Sequence, residues 1–325
     1  MGDRPEPFRP LNRAYNEVFR PGRLSIGLVV PIEGHANNPM PQMTRHLDRA
    51  RLVDDLGYAA LWLRDVPFNV PSFGDAGHLY DPFVYLGLLA GATRRIGLGV
   101  ASIILPLRHP AHVAKAAASA DVLSGGRLLL GIASGDRPEE FPAMAQPFAE
   151  RGVRFRESYD YIRRMAEDAP AFENAYGTPG YGIDMVPKPV AGRLPLLITG
   201  GSQQDTDWIT AHGDGWMLYP RPADLQARII TDWRGRIAAA GRPPKPAMEP
   251  FYLDLADDPH TPPQPIHLGL RLGMHALRDY LKTREAIGIN HIALNLRFNR
   301  ADTETTLTRL AQDLLPDFHD ARTDP

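Results

Sequence analysis

The stretch SGGRLLLGIASGD, residues 124–136, is where the fold is most legible. Ser124, Gly125 and Gly126 suit the positive φ angles of a tight turn, and Leu128 to Leu130 form an apolar run. Ser134, Gly135 and Asp136 follow where a strand would end. A run apolar on both faces reads as a strand covered on both sides, as in a parallel sheet. The small polar residues after it mark an end open enough for a ligand.

Working outward, the same alternation recurs. Residues 24–31, LSIGLVVP, and 58–67, YAALWLRDVP, are short apolar runs ending in proline, separated by helical spacing over 43–56. Asp81 before Pro82 fits an N-cap followed by proline in the first turn, opening a helix to about residue 93. Residues 96–105 make a third strand and 110–123 a third helix, so the organising run is the fourth strand. Strands follow near 194–199, 216–219, 246–255 and 291–297, with helices over 154–168, 200–212, 222–240, 274–288 and 302–315. Eight such units predict a (β/α)8 TIM barrel with insertions after strands four, five and seven. An open doubly wound sheet is the alternative. The expected division is an N-terminal arm over 1–23, one barrel domain over 24–318 and a tail over 319–325.

Composition narrows the partners. Lys and Arg number 36 against 38 Asp and Glu, a net charge of −2, so no global field favours nucleic acid or an anionic membrane. No apolar run approaches the roughly 20 residues that span a bilayer, and the N-terminus lacks an apolar signal core. A soluble, cytoplasmic protein with a small-molecule substrate is expected. The absence of cysteine excludes disulfides, thiolate catalysis and Cys-ligated metals. His35, His78, His212 and His291 show no metal-ligand spacing with a carboxylate, so no metal site is expected.

Three runs in one order carry a family resemblance: LPLRHPAHVAKAAASADVLSGGRLLLGIASG at 105–135, ERGVRFRESYDYI at 150–162, and PLLITGGSQQDTDWITAHGDGW at 195–216. Together they resemble the luciferase-like monooxygenases, the flavin- and F420-dependent barrels named after bacterial luciferase. The likeness covers most of residues 24–240. It implies FMN, reduced and possibly a co-substrate, with F420 as the alternative cofactor.

The resemblance places the phosphate of a flavin at Gly200, Gly201 and Ser202. Elementary chemistry agrees, because a following helix start exposes unpaired N–H groups and glycines let an anion approach the backbone. An ordinary glycine turn with Ser202 as N-cap is the alternative reading. Ser134 and Gly135 would contact the ribityl chain or phosphate, or Ser134 would satisfy loop backbone. The luciferase branch carries Cys-Arg where this chain has Ala133-Ser134, so a cationic contact is missing and Arg137 is a candidate substitute. Ala101 and Ser102 fall where the family has a cis peptide beneath the flavin ring. Arg64-Asp65 stands where relatives often place a proton-transferring histidine. Asp65 and Ser102 are therefore the catalytic candidates, with an Arg64–Asp65 ion network as the bland reading of the former. His109 reads as a helix cap, Arg154 and Glu157 as a stabilising pair, and Trp216 and Tyr219 as core or pocket wall.

Three activities are compatible with these residues. The first is a two-component monooxygenase using O2 and reduced FMN, the reduced flavin coming from a separate flavin reductase because no strand is followed by GxGxxG. The second is an F420-dependent dehydrogenase or reductase, favoured if Arg64, Arg108, Arg137 and Lys188 converge on a basic mouth. The third is a flavin-binding barrel without turnover. In the first reading, residues 66–80, 170–195 and 256–272 would form the lid; the family resemblance also implies a homodimer, for which alanine- and leucine-rich helices two and three would supply the face, with core burial as the equal alternative reading of those helices.

Overall fold

The computed structural model describes residues 6–319. Its strands in chain order are β1 (Ser25–Val29), β2 (Ala60–Leu63), β3 (Gly97–Ile104), β4 (Leu128–Ala133), β5 (Leu196–Thr199), β6 (Gly215–Met217), β7 (Ala247–Leu255), β8 (Gln264–Ile266), β9 (Gly269–Leu272) and β10 (His291–Asn295). β1 to β7 pair in sequence order and all in parallel, and β10 pairs with both β7 and β1. The sheet therefore closes into an eight-stranded barrel, and the open-sheet alternative falls. β8 and β9 form an antiparallel hairpin that extends β7 beyond the barrel rim.

The helices are α1 (Arg13–Val18), α2 (His46–Asp55), α3 (Pro82–Ala92), α4 (Pro110–Leu123), α5 (Glu140–Ala143), α6 (Arg151–Arg164), α7 (Thr206–His212), α8 (Ala223–Ala239), α9 (Met274–Ala286) and α10 (Thr303–Asp313). Asp81 caps α3 by accepting from the N–H groups of Phe83 and Val84. His109 caps α4 through Nδ1, which accepts from Ala111 N. Both start signals were legible in the sequence. Among the described residues no helix is long and apolar enough to cross a membrane.

β4 shows why its run is apolar on both faces. Leu128, Leu130 and Ile132 join the core between strands and helices, while Leu129 joins Trp62, Leu197, Met217, Met248 and Ala293 inside the barrel. The barrel interior is filled by side chains, so it is a core and not a channel. Glycine makes room there: a Cβ on Gly99 would lie 2.3 Å from the Trp62 ring.

The turn before β4 is held by a buried cation. Arg127 donates to the carbonyls of Ala90, Thr93, Ile96 and Ser124 and to the Thr93 hydroxyl, at 2.8 to 3.0 Å. It thus satisfies the carbonyls that the end of α3 leaves unpaired, where a cation also complements the helix dipole. Gly125 and Gly126 take φ of 69° and 78°, as the turn requires.

The tertiary structure adds to the reading of the N-terminal segment. Within the segment expected as an arm before the first strand, Ala14, Tyr15, Val18 and Phe19 pack into the interior cluster as a plug, and residues 1–5 lie outside the described residues. Asn12 locks the plug, its Nδ2 donating to Asp121 Oδ1 and Leu128 O at 2.8 and 2.7 Å. Of the tail assigned to 319–325, all but His319 lies outside the described residues.

The long insertions follow β2, β4 and β7. Only residues 200–205 separate β5 from α7, so the insertion placed after strand five does not exist as such. Residues 170–195 precede β5 and run down the flank, burying Phe172 and donating Val190 N to Asp121. Arg154 and Glu157 do not pair with each other. They anchor that flank, Arg154 lying over the Tyr176 ring and Glu157 accepting from Ala175 N at 3.2 Å.

Candidate active site

A cavity of about 420 Å³ opens at the carboxyl ends of β2 to β6. The catalytic and cofactor-binding candidates from the sequence all line it: Asp65, Ala101, Ser102, Ser134, Gly135, Gly200, Gly201 and Ser202. Residues far apart in the chain meet there because each follows or ends a parallel strand, and all such ends face one way.

Ala101–Ser102 in β3 is a cis peptide bond. The Ser102 hydroxyl shares a hydrogen bond with that of Thr199 at the end of β5. Gly135 takes φ of 88°, and a Cβ there would come within 2.8 Å of Ile104. This position therefore demands glycine on two counts.

The segment after β5 differs from its sequence reading. The helix starts at Thr206 with Asp205 as its cap, accepting from Trp208 N at 2.7 Å, so Ser202 is not the N-cap. Ser202 Oγ donates instead to Thr199 O at 2.7 Å. Residues 200, 202 and 203 have φ of 54°, 45° and 59°, a left-handed turn rather than a helix start. The backbone N–H groups of Gly201, Ser202 and Gln203 have no protein acceptor among the described residues. Successive N–H groups in such a turn form a concave anion cradle. Gln204 Nε2 ties this turn to the start of α6 by donating to Gly152 O at 2.9 Å.

That tie brings in Arg151, which the sequence reading missed. Its Nη1 donates to Phe148 O at 3.0 Å, its guanidinium lies 3.8 Å over the Phe148 ring, and its buried Nε has no acceptor. Arg137 is similar, stacked on Phe73 at 4.3 Å with a buried Nη1 that has no acceptor. Glu140 faces Arg137 at 4.0 Å, too long for a hydrogen bond, and burial pushes its carboxyl up to about 7. Glu140 lies in none of the runs that carry the resemblance, and Arg151, although within the 150–162 run, has no sequence signal that places it at the cavity, so the fold assigns both to it.

Asp65 lines the cavity with both oxygens already engaged. Arg108 donates to Oδ1 at 2.6 Å and to Oδ2 at 2.9 Å, and Ile104 N donates to Oδ2 at 3.1 Å. The ion network expected here thus exists with Arg108 rather than Arg64, which pairs with Asp75 at 2.5 Å. Burial opposes the charge of Arg64, and Asp75 more than offsets it, keeping the guanidinium cationic. Of the four cations considered for a basic mouth, Arg64 and Arg137 line the cavity. Arg108 is held by Asp65 and Asp81, and Lys188 pairs with Asp184 on the flank. Tyr219 lines the cavity, whereas Trp216 is buried behind it and donates its indole N–H to Gly200 O at 2.8 Å. The 66–80 loop contributes Val66 and Phe73, while the 170–195 and 256–272 segments contribute no lining residue, so they are not the expected lid.

A closed (β/α)8 barrel with an anion cradle and two arginines that each keep one N–H group without an acceptor at its carboxyl mouth defines an enzyme-type barrel suited to a phosphate-bearing ligand. The luciferase-like monooxygenase family profile matches residues 24–253, and the chain belongs to that family. An uncharacterised protein of Mycobacterium tuberculosis is 28% identical over 267 residues, covering 76% of this chain and 92% of its own. Among solved structures, the monooxygenase RslO1 from Streptomyces bottropensis superposes with a TM-score of 0.76 at 20% identity, covering 90% of this chain and 99% of that one. An F420-dependent secondary alcohol dehydrogenase gives 0.75 at 16%, covering 92% and 100%. The FMN complex of the oxygenating constituent of 3,6-diketocamphane monooxygenase from Pseudomonas putida gives 0.70 at 13%, covering 91% and 99%. At these identities the structural likeness speaks for the fold alone.

Proposed function

We propose that this protein is the oxygenating component of a two-component monooxygenase, using reduced FMN and O2 to oxygenate a small organic substrate. The observation that carries this reading is the adjacency of the 201–203 N–H cradle to Arg151, whose Nε has no acceptor. A phosphate monoester supplies the acceptors both lack. In this reading the cradle and Arg151 hold the phosphate, Ser134 and Gly135 contact the ribityl chain, and Ala101 and Ser102 meet the ring system. The cavity volume lies within the range of small-ligand sites, about 300–1,000 Å³.

The flavin, when bound and reduced, supplies the oxygen-activating chemistry that no side chain here possesses. The chain's own work is positioning and water exclusion, by Phe73, Phe148 and Ile104 around the cavity. Glu140, neutral below about pH 7, holds a proton within the cavity. Asp65 acts as a positioning residue through Arg108, and Ser102 is placed by Thr199. No strand of this chain is followed by a dinucleotide fingerprint, which favours a separate reductase as electron source.

An F420-dependent dehydrogenase is the second reading, favoured by Arg64, Arg137 and Arg151 all lining the cavity, since F420 is polyanionic. Anaerobic titration of the purified protein with FMN, reduced FMN and F420 separates the two. Tight FMN binding with F420 ignored, followed by substrate-dependent O2 uptake with a flavin reductase, is the expected result. F420 binding alone overturns it.

A homodimer through α3 and α4 completes the proposal. Val84 and Leu88 on α3 and Leu123 on α4 are 74%, 47% and 73% exposed, an unusual apolar display for a polar surface. Light scattering at working concentration tests it, and V84E/L123E is expected to give the monomer.

A further inference from the structure

The opposite end of the barrel carries a second, smaller cleft of about 220 Å³. It lies where the chain enters β5, β6 and β7, beside the α1 plug, so it is separated from the candidate active site by the packed barrel interior. Its walls contain five cationic side chains, Arg9, Arg163, Arg193, Arg242 and Lys245, against one carboxylate, Asp214.

That carboxylate is already used. Arg163 and Arg193 donate to its two oxygens at 2.6 and 2.5 Å, and Leu196 N donates at 2.9 Å. Arg163 is further committed to Leu194 O and the Tyr159 hydroxyl. Arg9, Arg242 and Lys245 form no ion pair among the described residues. No hydrogen bond or ion pair engages the side chains of Arg9 and Arg242 among the described residues, Arg193 keeps a buried Nε without an acceptor, and Lys245 Nζ meets only the carbonyl of Thr210 at 2.5 Å. Like charges brought together in a partly buried cleft repel unless an anion joins them. Burial, with Arg242, Arg163 and Arg193 adding to it, pushes Lys245 down to about 8 despite the opposing pull of Asp214.

We propose that this cleft is an anion site for a phosphate group, free or carried on a small metabolite, held by Arg9, Arg193, Arg242 and Lys245. Phosphate is favoured over a carboxylate because several donors converge on one small volume, and a phosphate offers at least three acceptor oxygens with up to two charges. The cleft holds the anionic head and leaves any organic part outside, next to the exposed Arg9 and Arg242. This site is independent of the flavin reading, since the two cavities share no residue.

Lysine reactivity reads the site directly, because the chain has only four lysines and exposed Lys282 serves as an internal reference. The full-length protein is acylated at pH 8 and constant ionic strength with sodium chloride, orthophosphate, pyrophosphate or adenosine monophosphate, and each lysine is followed by mass spectrometry. Pyrophosphate is expected to slow Lys245 labelling at least about five-fold relative to Lys282, by raising the amine's pKa and covering it. Protection by the inorganic anions alone assigns a free phosphate, and protection by the monophosphate as well assigns a metabolite's phosphate. The double variant R9A/R242A, both positions being exposed, is expected to lose the protection, and R151A to keep it. Equal Lys245 labelling with chloride and phosphate, or protection that survives R9A/R242A, overturns the proposal.

Discussion

The indole N–H of Trp62 donates to Nε2 of His291 at 2.8 Å inside the closed barrel. That bond fixes the tautomer: Nε2 accepts, so Nδ1 carries the proton and donates to Ser25 Oγ at 2.7 Å. The ring is fully buried, and burial together with His319 pushes it down to about 3. An unfolded histidine, with a pKa near 6.5, takes up a proton that the folded one refuses. Stability from this group is complete above about pH 6.5 and falls as pH drops toward 3, by about 1.4 kcal/mol per unit. In urea unfolding, the stability advantage of the native chain over H291Q is expected to shrink by about 2 kcal/mol between pH 7 and pH 5. A constant difference would show that the ring titrates normally.

Gly99 stands against the same indole. A Cβ there would sit 2.3 Å from the Trp62 ring, which is itself enclosed and cannot swing away. G99A is expected to cost about 1–3 kcal/mol, the range for overpacked cores. Combining it with W62F should recover part of that loss, so the two substitutions will be non-additive in thermal unfolding.

Arg127 donates to five buried or half-buried acceptors around the turn before β4. A lysine offers a point charge with three donors and cannot span them. R127K is expected to lose about 2–4 kcal/mol, mostly from acceptors left without partners. Calorimetric melting measures the loss, and a near-neutral result would mean that water replaces the guanidinium freely.

Arg151 separates phosphate recognition from ring recognition. R151A removes one cation from the wall of the cradle and is expected to weaken FMN binding about 10- to 100-fold, corresponding to about 1.5–3 kcal/mol. Riboflavin, lacking the phosphate, should bind both proteins alike. Fluorescence titration of the two flavins is sufficient, and equal losses for both would place the phosphate elsewhere.

Glu140 is pushed up to about 7 by burial, with Asp65, Asp136 and Glu139 acting in the same direction and Arg137 against it. The acid form therefore predominates below that pH and the carboxylate above it. Turnover that uses its proton should decline as pH rises past about 7, and E140Q should lack that limb while retaining FMN binding. The comparison of kcat/KM against pH with flavin titrations distinguishes proton transfer from simple cavity shape.

How far the sequence reached is clearest in the contrast between α4 and the 200–205 turn. The bounds of α4 were legible because His109-Pro110 and the Ser124-Gly125-Gly126 stop are local signals that act within one turn of chain. The start of α7 was misplaced because Asp205, four residues beyond the glycines, competes better for the cap than Ser202, whose hydroxyl is drawn to Thr199 O. Propensity alone does not rank two such caps.

The sequence by itself determined the βα alternation, the barrel and the residues at its strand ends, since periodicity and caps depend on neighbours along the chain. Tertiary structure alone decided which charges meet. Asp65 chose Arg108, 43 residues away, over its neighbour Arg64, and Arg151 reached the cradle through the contact of Gln204 with Gly152. It also turned the N-terminal arm into the plug of the barrel floor, because an open end would leave Leu129, Leu197 and Met248 exposed to water. Ion pairing and burial depend on distances that only the closed barrel sets.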